Sequence, residues 1–172
     1  MPRIIIITGN GKGKTTSAFG MVLRALGHRL KVSIIQFIKS RTDTGEIIAL
    51  KHFPELEIIQ CGLGFIPPVE SIKFKHHCDC AQNALMLAEK TLMDTSVNMV
   101  VLDEICSTVH FKLLSEQDLV STISKAHEHC IVICTGRYAP KSLIDIADTV
   151  SEISSVKHGF EHGIKAQKGV EL

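Results

Sequence analysis

Six short apolar runs, separated by stretches with helical periodicity, limit the possible folds of this chain more than any other feature. The runs are residues 3–8 (RIIIIT), 31–38 (KVSIIQFI), 56–61 (LEIIQC), 98–105 (NMVVLDEI), 130–135 (CIVICT) and 149–156 (TVSEISSV). Several are continuously apolar rather than alternating, as strands covered on both faces should be. Between them, residues 14–28 set Ala18, Phe19, Val22, Leu23 and Leu26 on one side of a helix. Residues 71–93 repeat Phe74, Cys78, Ala81, Leu85, Ala88 and Leu92 at helical spacing. Ser115-Glu-Gln-Asp118 reads as a capping box that opens a helix over 115–127, and 140–148 supplies a short last one. Strand alternating with helix implies an α/β fold: a mostly parallel sheet with helices on both faces. One domain over 1–172 is expected, because a chain of this size hides roughly 70% of its unfolded surface. Residues 40–48 and 62–70 read as loops that follow strands. In such sheets the ligand crevice lies beyond the carboxyl ends of the strands.

The first strand runs directly into TGNGKGKTT at 8–16. Strand, glycine loop and helix together form the setting of a phosphate cradle. Backbone N–H groups close on phosphate oxygens there, and the helix N-terminus adds positive potential. The spacing departs from G-x-x-x-x-G-K-[ST], in which the first glycine stands five residues before the second. Thr8 holds that place here, the glycine is Gly9, and the shortened loop carries an additional lysine, Lys12. Lys14 is expected to reach the outer phosphates and the Thr15 hydroxyl to face Mg²⁺. The run VVLDEI at 100–105 ends in Asp103-Glu104, carboxylates suited to Mg²⁺ or its waters across from the loop. Gln36 and Lys39 end the second strand. Thr135-Gly136-Arg137 ends the fifth, where an arginine can neutralise a polyphosphate. Read on their own, these residues describe an ATP-binding α/β domain.

Other classes are disfavoured. Net charge is +1 and no block of like charges occurs, so a nucleic-acid surface built on phosphate neutralisation is not expected. No apolar run approaches the roughly 20 residues that span a bilayer. MPR leading straight into a strand is not a signal peptide, so a cytoplasmic protein is expected. The six cysteines read as buried, reduced thiols. Cys130 and Cys134 lie four residues apart on a strand, roughly 13 Å, too far for one metal or disulfide. Cys78 and Cys80, in HHCDC at 76–80, point to nearly opposite faces of a helix. No N-K-x-D for guanine occurs, Arg41 is the single lid-like arginine for a kinase, and no nucleophile-base pair stands out. The reaction stays open at this point.

TGNGKGKTT, VVLDEI, TGR and the tail VSEISSVKHGFEHGIKAQKGVEL together resemble the P-loop type of ATP:corrinoid adenosyltransferase, over about Arg3 to Leu172. The short loop and the K-H-x-F-x-x-G-x-K-A-Q-x-G tail are its specific motifs. The resemblance implies a RecA-like P-loop fold and attack by the Co(I) of a corrinoid such as cobalamin on C5′ of ATP. Triphosphate leaves whole, and ATP lies in the reverse sense along the altered loop. It implies phosphate binding by Gly9, Asn10, Gly11, Lys12, Gly13, Lys14, Thr15 and Thr16. Thr15, Glu104 and Asp103 fall at the Mg²⁺ (or Mn²⁺) site, and Asn10, Lys157 and His158 near the nucleoside end. An electron-donating reductase and a homodimer also follow from it. Family members wedge aromatic side chains beneath the corrin to ease reduction of Co(II). Phe65 in GFIPPVE matches the first of these; Pro67 stands where the second, a tryptophan, is often found. The chain also starts at its first strand, without the N-terminal helical extension of some relatives. A small P-loop kinase with its acceptor at 62–70, or a non-catalytic ATP and corrinoid carrier or sensor, are the alternatives.

Overall fold

The computed structural model describes residues 1–41 and 43–170. Six strands form one parallel sheet in the order β3-β2-β4-β5-β1-β6. They are β1 (Arg3–Thr8), β2 (Val32–Gln36), β3 (Leu56–Gln60), β4 (Met99–Asp103), β5 (Ile131–Thr135) and β6 (Thr149–Glu152). The helices are α1 (Lys14–Gly27), α2 (Gly45–Leu50), α3 (Ile72–Met93), α4 (Ile105–His110), α5 (Glu116–Ser124) and α6 (Lys141–Asp145). A 3₁₀ turn spans Gly159–His162.

Successive side chains of a strand point to opposite faces, so each continuous apolar run feeds two cores. Ile4, Ile6, Ile35, Val100, Leu102, Val132 and Cys134 meet α3, α4, α5 and α6 on one face. Ile7, Ile34, Val101 and Ile133 meet α1 and Leu50 of α2 on the other. Helices therefore cover both faces, as the sequence implies. Ser115 caps α5 as expected: its Oγ accepts from the Asp118 N–H at 3.0 Å and donates to Asp118 Oδ2 at 2.7 Å.

Some expectations need correction. Leu23 is more than half exposed, because α1 buries Ala18, Phe19, Val22, Ala25 and Leu26 and leaves position 23 at the margin of that stripe. Residues 40–48 are not all loop, since α2 begins at Gly45. The run 98–105 does not continue as strand past Asp103, because Glu104 is left-handed (φ 63°) and starts α4. The last strand stops at Glu152 and forms an exposed edge paired with β1 alone. Three cysteines, Cys106, Cys130 and Cys134, are buried, whereas Cys61, Cys78 and Cys80 are half-buried. No described helix is long and apolar enough to cross a membrane.

Because every strand runs the same way, Thr8, Gln36, Gln60, Asp103 and Thr135 all end at one edge of the sheet. That edge carries the site.

Candidate active site

The loop after β1 is shaped by close backbone contact. Gly9 is left-handed (φ 100°), and a Cβ there would run into the Ile153 carbonyl. A Cβ on Gly11 would stand 2.8 Å from the same oxygen. Glycine is therefore required at both places. The Gly11 N–H donates to the Ile153 carbonyl at 2.7 Å, and Asn10 Oδ1 accepts from the Ser155 N–H at 3.0 Å. The Gly11 N–H is held by Ile153 rather than turned to a phosphate, and the Asn10 side chain clasps the segment after β6. Further donors for an anion stand at the start of α1. That helix has Gly13 as its N-cap, no capping side chain and no acidic residue in its first turn. Uncapped N–H groups at the positive end of a 14-residue helix favour negative charge.

Asp103 is the hub beneath the loop. It is fully buried, and each carboxylate oxygen takes two donors. Oδ1 accepts from Thr15 Oγ1 and Thr135 Oγ1, both at 2.8 Å. Oδ2 accepts from Gln36 Nε2 at 2.9 Å and pairs with Lys39 Nζ at 3.1 Å. Hydrogen bonds to a charged group contribute about 1.5–3 kcal/mol each, enough for four of them to offset a desolvation cost of several kcal/mol. Gln36 is buried, with its side-chain amide donating to this carboxylate. Its Oε1 accepts from Gln60 Nε2 at 2.7 Å.

Glu104, next in the chain, faces the other way. Its left-handed backbone turns the carboxylate into a cleft of about 400 Å³ shared with Lys12, Gly13, Lys14, Thr15, Thr16 and Lys39. Glu104 Oε2 accepts from Ser107 Oγ at 2.6 Å, and the Glu104 N–H donates to Thr135 Oγ1 at 2.9 Å. Lys14 is buried, with its Nζ donating to the Gly11 carbonyl at 2.7 Å. Burial lowers the Lys14 pKa from its ordinary value; Glu104 opposes that shift and Arg137 adds to it. Arg137 itself is exposed, and its backbone N–H donates to Ser107 Oγ at 2.9 Å. The cleft thus gathers three lysines around Glu104, a setting for a polyanion carrying its own cation.

Thr15, Glu104 and the buried Asp103 offer oxygen donors alone, the chemistry of Mg²⁺ or Mn²⁺. The fit differs between the acids. Asp103 has four donors already, whereas Glu104 Oε1 makes no hydrogen bond among the described residues. Glu104 with the Thr15 hydroxyl therefore fits direct metal contact, and Asp103 fits the task of orienting Thr15.

Lys157 and His158 lie elsewhere on the same edge. They line a neighbouring cleft of about 320 Å³ with Ser154, Ser155 and Lys12, and Lys12 links the two clefts. Phe65 joins neither; it is 94% exposed on the loop after β3. Sequence reading missed Ser107, which joins Glu104 to the Arg137 backbone, and Gln60, which extends the Asp103 network. Its signal for Ser107 was the spacing of three from Glu104 at a helix start. The approach of Gly169 and Val170 to the first cleft, with Lys12 Nζ donating to the Val170 carbonyl at 2.6 Å, had no local signal.

The family described as ATP:corrinoid adenosyltransferase BtuR/CobO/CobP matches residues 1–172. A corrinoid adenosyltransferase of Pseudomonas aeruginosa is 42% identical over 170 residues, covering 98% of this chain and 83% of that protein. One of Escherichia coli is 37% identical over 169 residues, covering 98% and 84%. Among solved structures, the flagellar accessory protein FlaH of Methanocaldococcus jannaschii superposes with a TM-score of 0.53. It covers 88% of this chain and 70% of its own at 16% identity, a likeness of fold alone. This chain belongs to the ATP:corrinoid adenosyltransferase family.

Proposed function

We propose that this chain transfers the 5′-deoxyadenosyl group of ATP to the Co(I) of a corrinoid and releases triphosphate. The supporting observation is one cleft that joins Lys12, Lys14, Lys39, the bare N-terminus of α1 and Glu104, in a chain matched to this family throughout. The Co(I) electron pair forms the Co–C5′ bond as the C5′–O bond breaks, and the departing electron pair goes to triphosphate. Negative charge then grows on the leaving oxygen, so fixed cations and N–H donors act where the transition state needs them. Lys14, Lys12 and the N–H groups at the start of α1 hold the phosphate chain. Thr15 and Glu104 would hold Mg²⁺ or Mn²⁺, with Asp103 fixing the Thr15 hydroxyl. When bound, the metal ion supplies further charge stabilisation on phosphate oxygens. No proton need be removed, so no general base is asked of Glu104, whose Oε2 accepts from Ser107.

Lys157 and His158, across Lys12 from the phosphate cleft, suit the nucleoside end. In this reading Phe65, exposed on the loop after β3, meets the corrin ring. A reductase that supplies the electron for Co(I), a homodimer and a cytoplasmic setting complete the proposal. The test is incubation with ATP, Mg²⁺ and chemically reduced corrinoid, followed by the absorbance change of Co–C bond formation. Alkylation at catalytic rates that is lost with Lys14→Ala supports the reading; binding of both substrates without alkylation would make the chain a carrier instead.

A further inference from the structure

Lys39 reaches from the loop after β2 to Thr15 and Asp103. Its Nζ donates to Thr15 Oγ1 at 3.0 Å and pairs with Asp103 Oδ2 at 3.1 Å. The Thr15 hydroxyl has one proton, given to Asp103, and one of its two acceptor sites is taken by Lys39. A divalent ion bound to the same oxygen at about 2.1 Å would stand no more than about 5 Å from the ammonium. Like charges at that range, over a buried carboxylate, repel strongly. The backbone behind Lys39 is held independently. Gln60 Nε2 donates to both Gln36 Oε1 and the Arg41 carbonyl, at 2.7 Å each, so the side chain can leave without the loop. The Lys39 side chain is one-third exposed and lines the phosphate cleft, which gives it somewhere to go.

We propose that Lys39 is a tethered competitor of the metal: its ammonium neutralises Asp103 and occupies Thr15 until a divalent ion arriving with the phosphates displaces it. The proposal rests on the reading of Thr15 as a metal contact. Metal alone must expel a cation from a buried carboxylate, whereas metal with polyphosphate gives that cation an anion to join. Lys39 is thus a positioning residue that disfavours occupation of the site by metal without nucleotide.

The test is a Mn²⁺ titration of the full chain without nucleotide, followed by electron paramagnetic resonance. Lys39→Met and Lys39→Gln, the second retaining a hydrogen-bond donor without charge, should each bind Mn²⁺ at least about tenfold more tightly than the parent. Adding Thr15→Ala to either variant should abolish the gain. Unchanged, weaker or undetectable Mn²⁺ binding in both Lys39 variants overturns the inference. A gain that survives Thr15→Ala also overturns it, because the ion is then bound elsewhere. The underlying reading is judged separately, by whether Thr15→Ala alone abolishes the Mg²⁺ dependence of adenosylation. Loss there with no gain in the Lys39 variants sinks the competitor idea and spares the metal assignment.

Discussion

Thr15 and Asp103 are 88 residues apart in sequence and joined by a 2.8 Å hydrogen bond that couples the phosphate loop to the end of β4. The bond fixes which way the Thr15 hydroxyl points. It also divides the two adjacent acids, since Asp103 is buried under four donors while Glu104 opens into the cleft.

That division predicts opposite phenotypes. Asp103→Asn replaces one accepting oxygen by a donor facing donors and leaves Lys39 without its partner. Stability should fall by about 3 kcal/mol, which lowers the Tm by roughly 6–12 °C in a chain of this size. Glu104→Gln should leave the Tm within about 2 °C and reduce metal-dependent turnover more than tenfold, as lost charge-assisted contacts of about 1.5–3 kcal/mol imply. Thermal melts beside a Mg²⁺ titration check both. Equal melting behaviour in the two variants would contradict the assignment.

Lys14 should set the alkaline limit for ATP. Its pKa lies below the ordinary 10.5, chiefly through burial. As pH rises, the free protein loses the Lys14 proton earlier than an ordinary lysine would, and the phosphate anchor goes with it. The kcat/KM for ATP, which reports the free enzyme, should therefore decline with rising pH before 10.5 is reached. The measurement is that profile in the parent and in Lys14→Arg, whose guanidinium stays charged and should remove the decline. A parent profile flat to pH 10.5 contradicts the prediction.

Ser33, the second residue of β2, has a buried hydroxyl with no partner among the described residues. Ser33→Ala removes an unsatisfied polar group and should raise stability by about 1 kcal/mol. Denaturant unfolding with an unchanged m-value would register the gain; a loss of stability would mean the hydroxyl is bonded in solution.

Much of this was legible in sequence because it is local. A strand ending at Thr8, a glycine loop and a helix opening at Lys14 are written in one stretch, and α3 follows from its apolar spacing alone. The acids at 103–104 were readable as a pair. Their division was not, because it depends on Thr135 and Gln36 arriving from strands distant in sequence and on the left-handed turn at Glu104. Asn10 was readable as part of the loop, but its bond to Ser155 was not, because that depends on the pairing of β6 with β1. The start of α2 was obscured by the polar residues of SRTDTGE, where Glu46 in the first turn was the available sign.

Under the proposed function, a Phe65 variant should separate the two halves of the reaction. Being almost wholly exposed, it contributes little to the core, so Phe65→Ala should change the Tm by less than about 2 °C. It should leave the KM for ATP unaltered and cut adenosylation that starts from Co(II) corrinoid, with a much smaller effect when Co(I) is supplied. Parallel assays with the two oxidation states decide this. An equal loss in both would place Phe65 in corrinoid binding rather than in reduction.

The most direct test of the whole account is the fate of the phosphates. With the parent chain, ATP, Mg²⁺ and Co(I) corrinoid, ³¹P spectra should show one intact triphosphate for each Co–C bond counted by absorbance, and no ADP. ADP as the phosphate product, or Co–C bonds formed without matching triphosphate, would contradict adenosyl transfer at this loop.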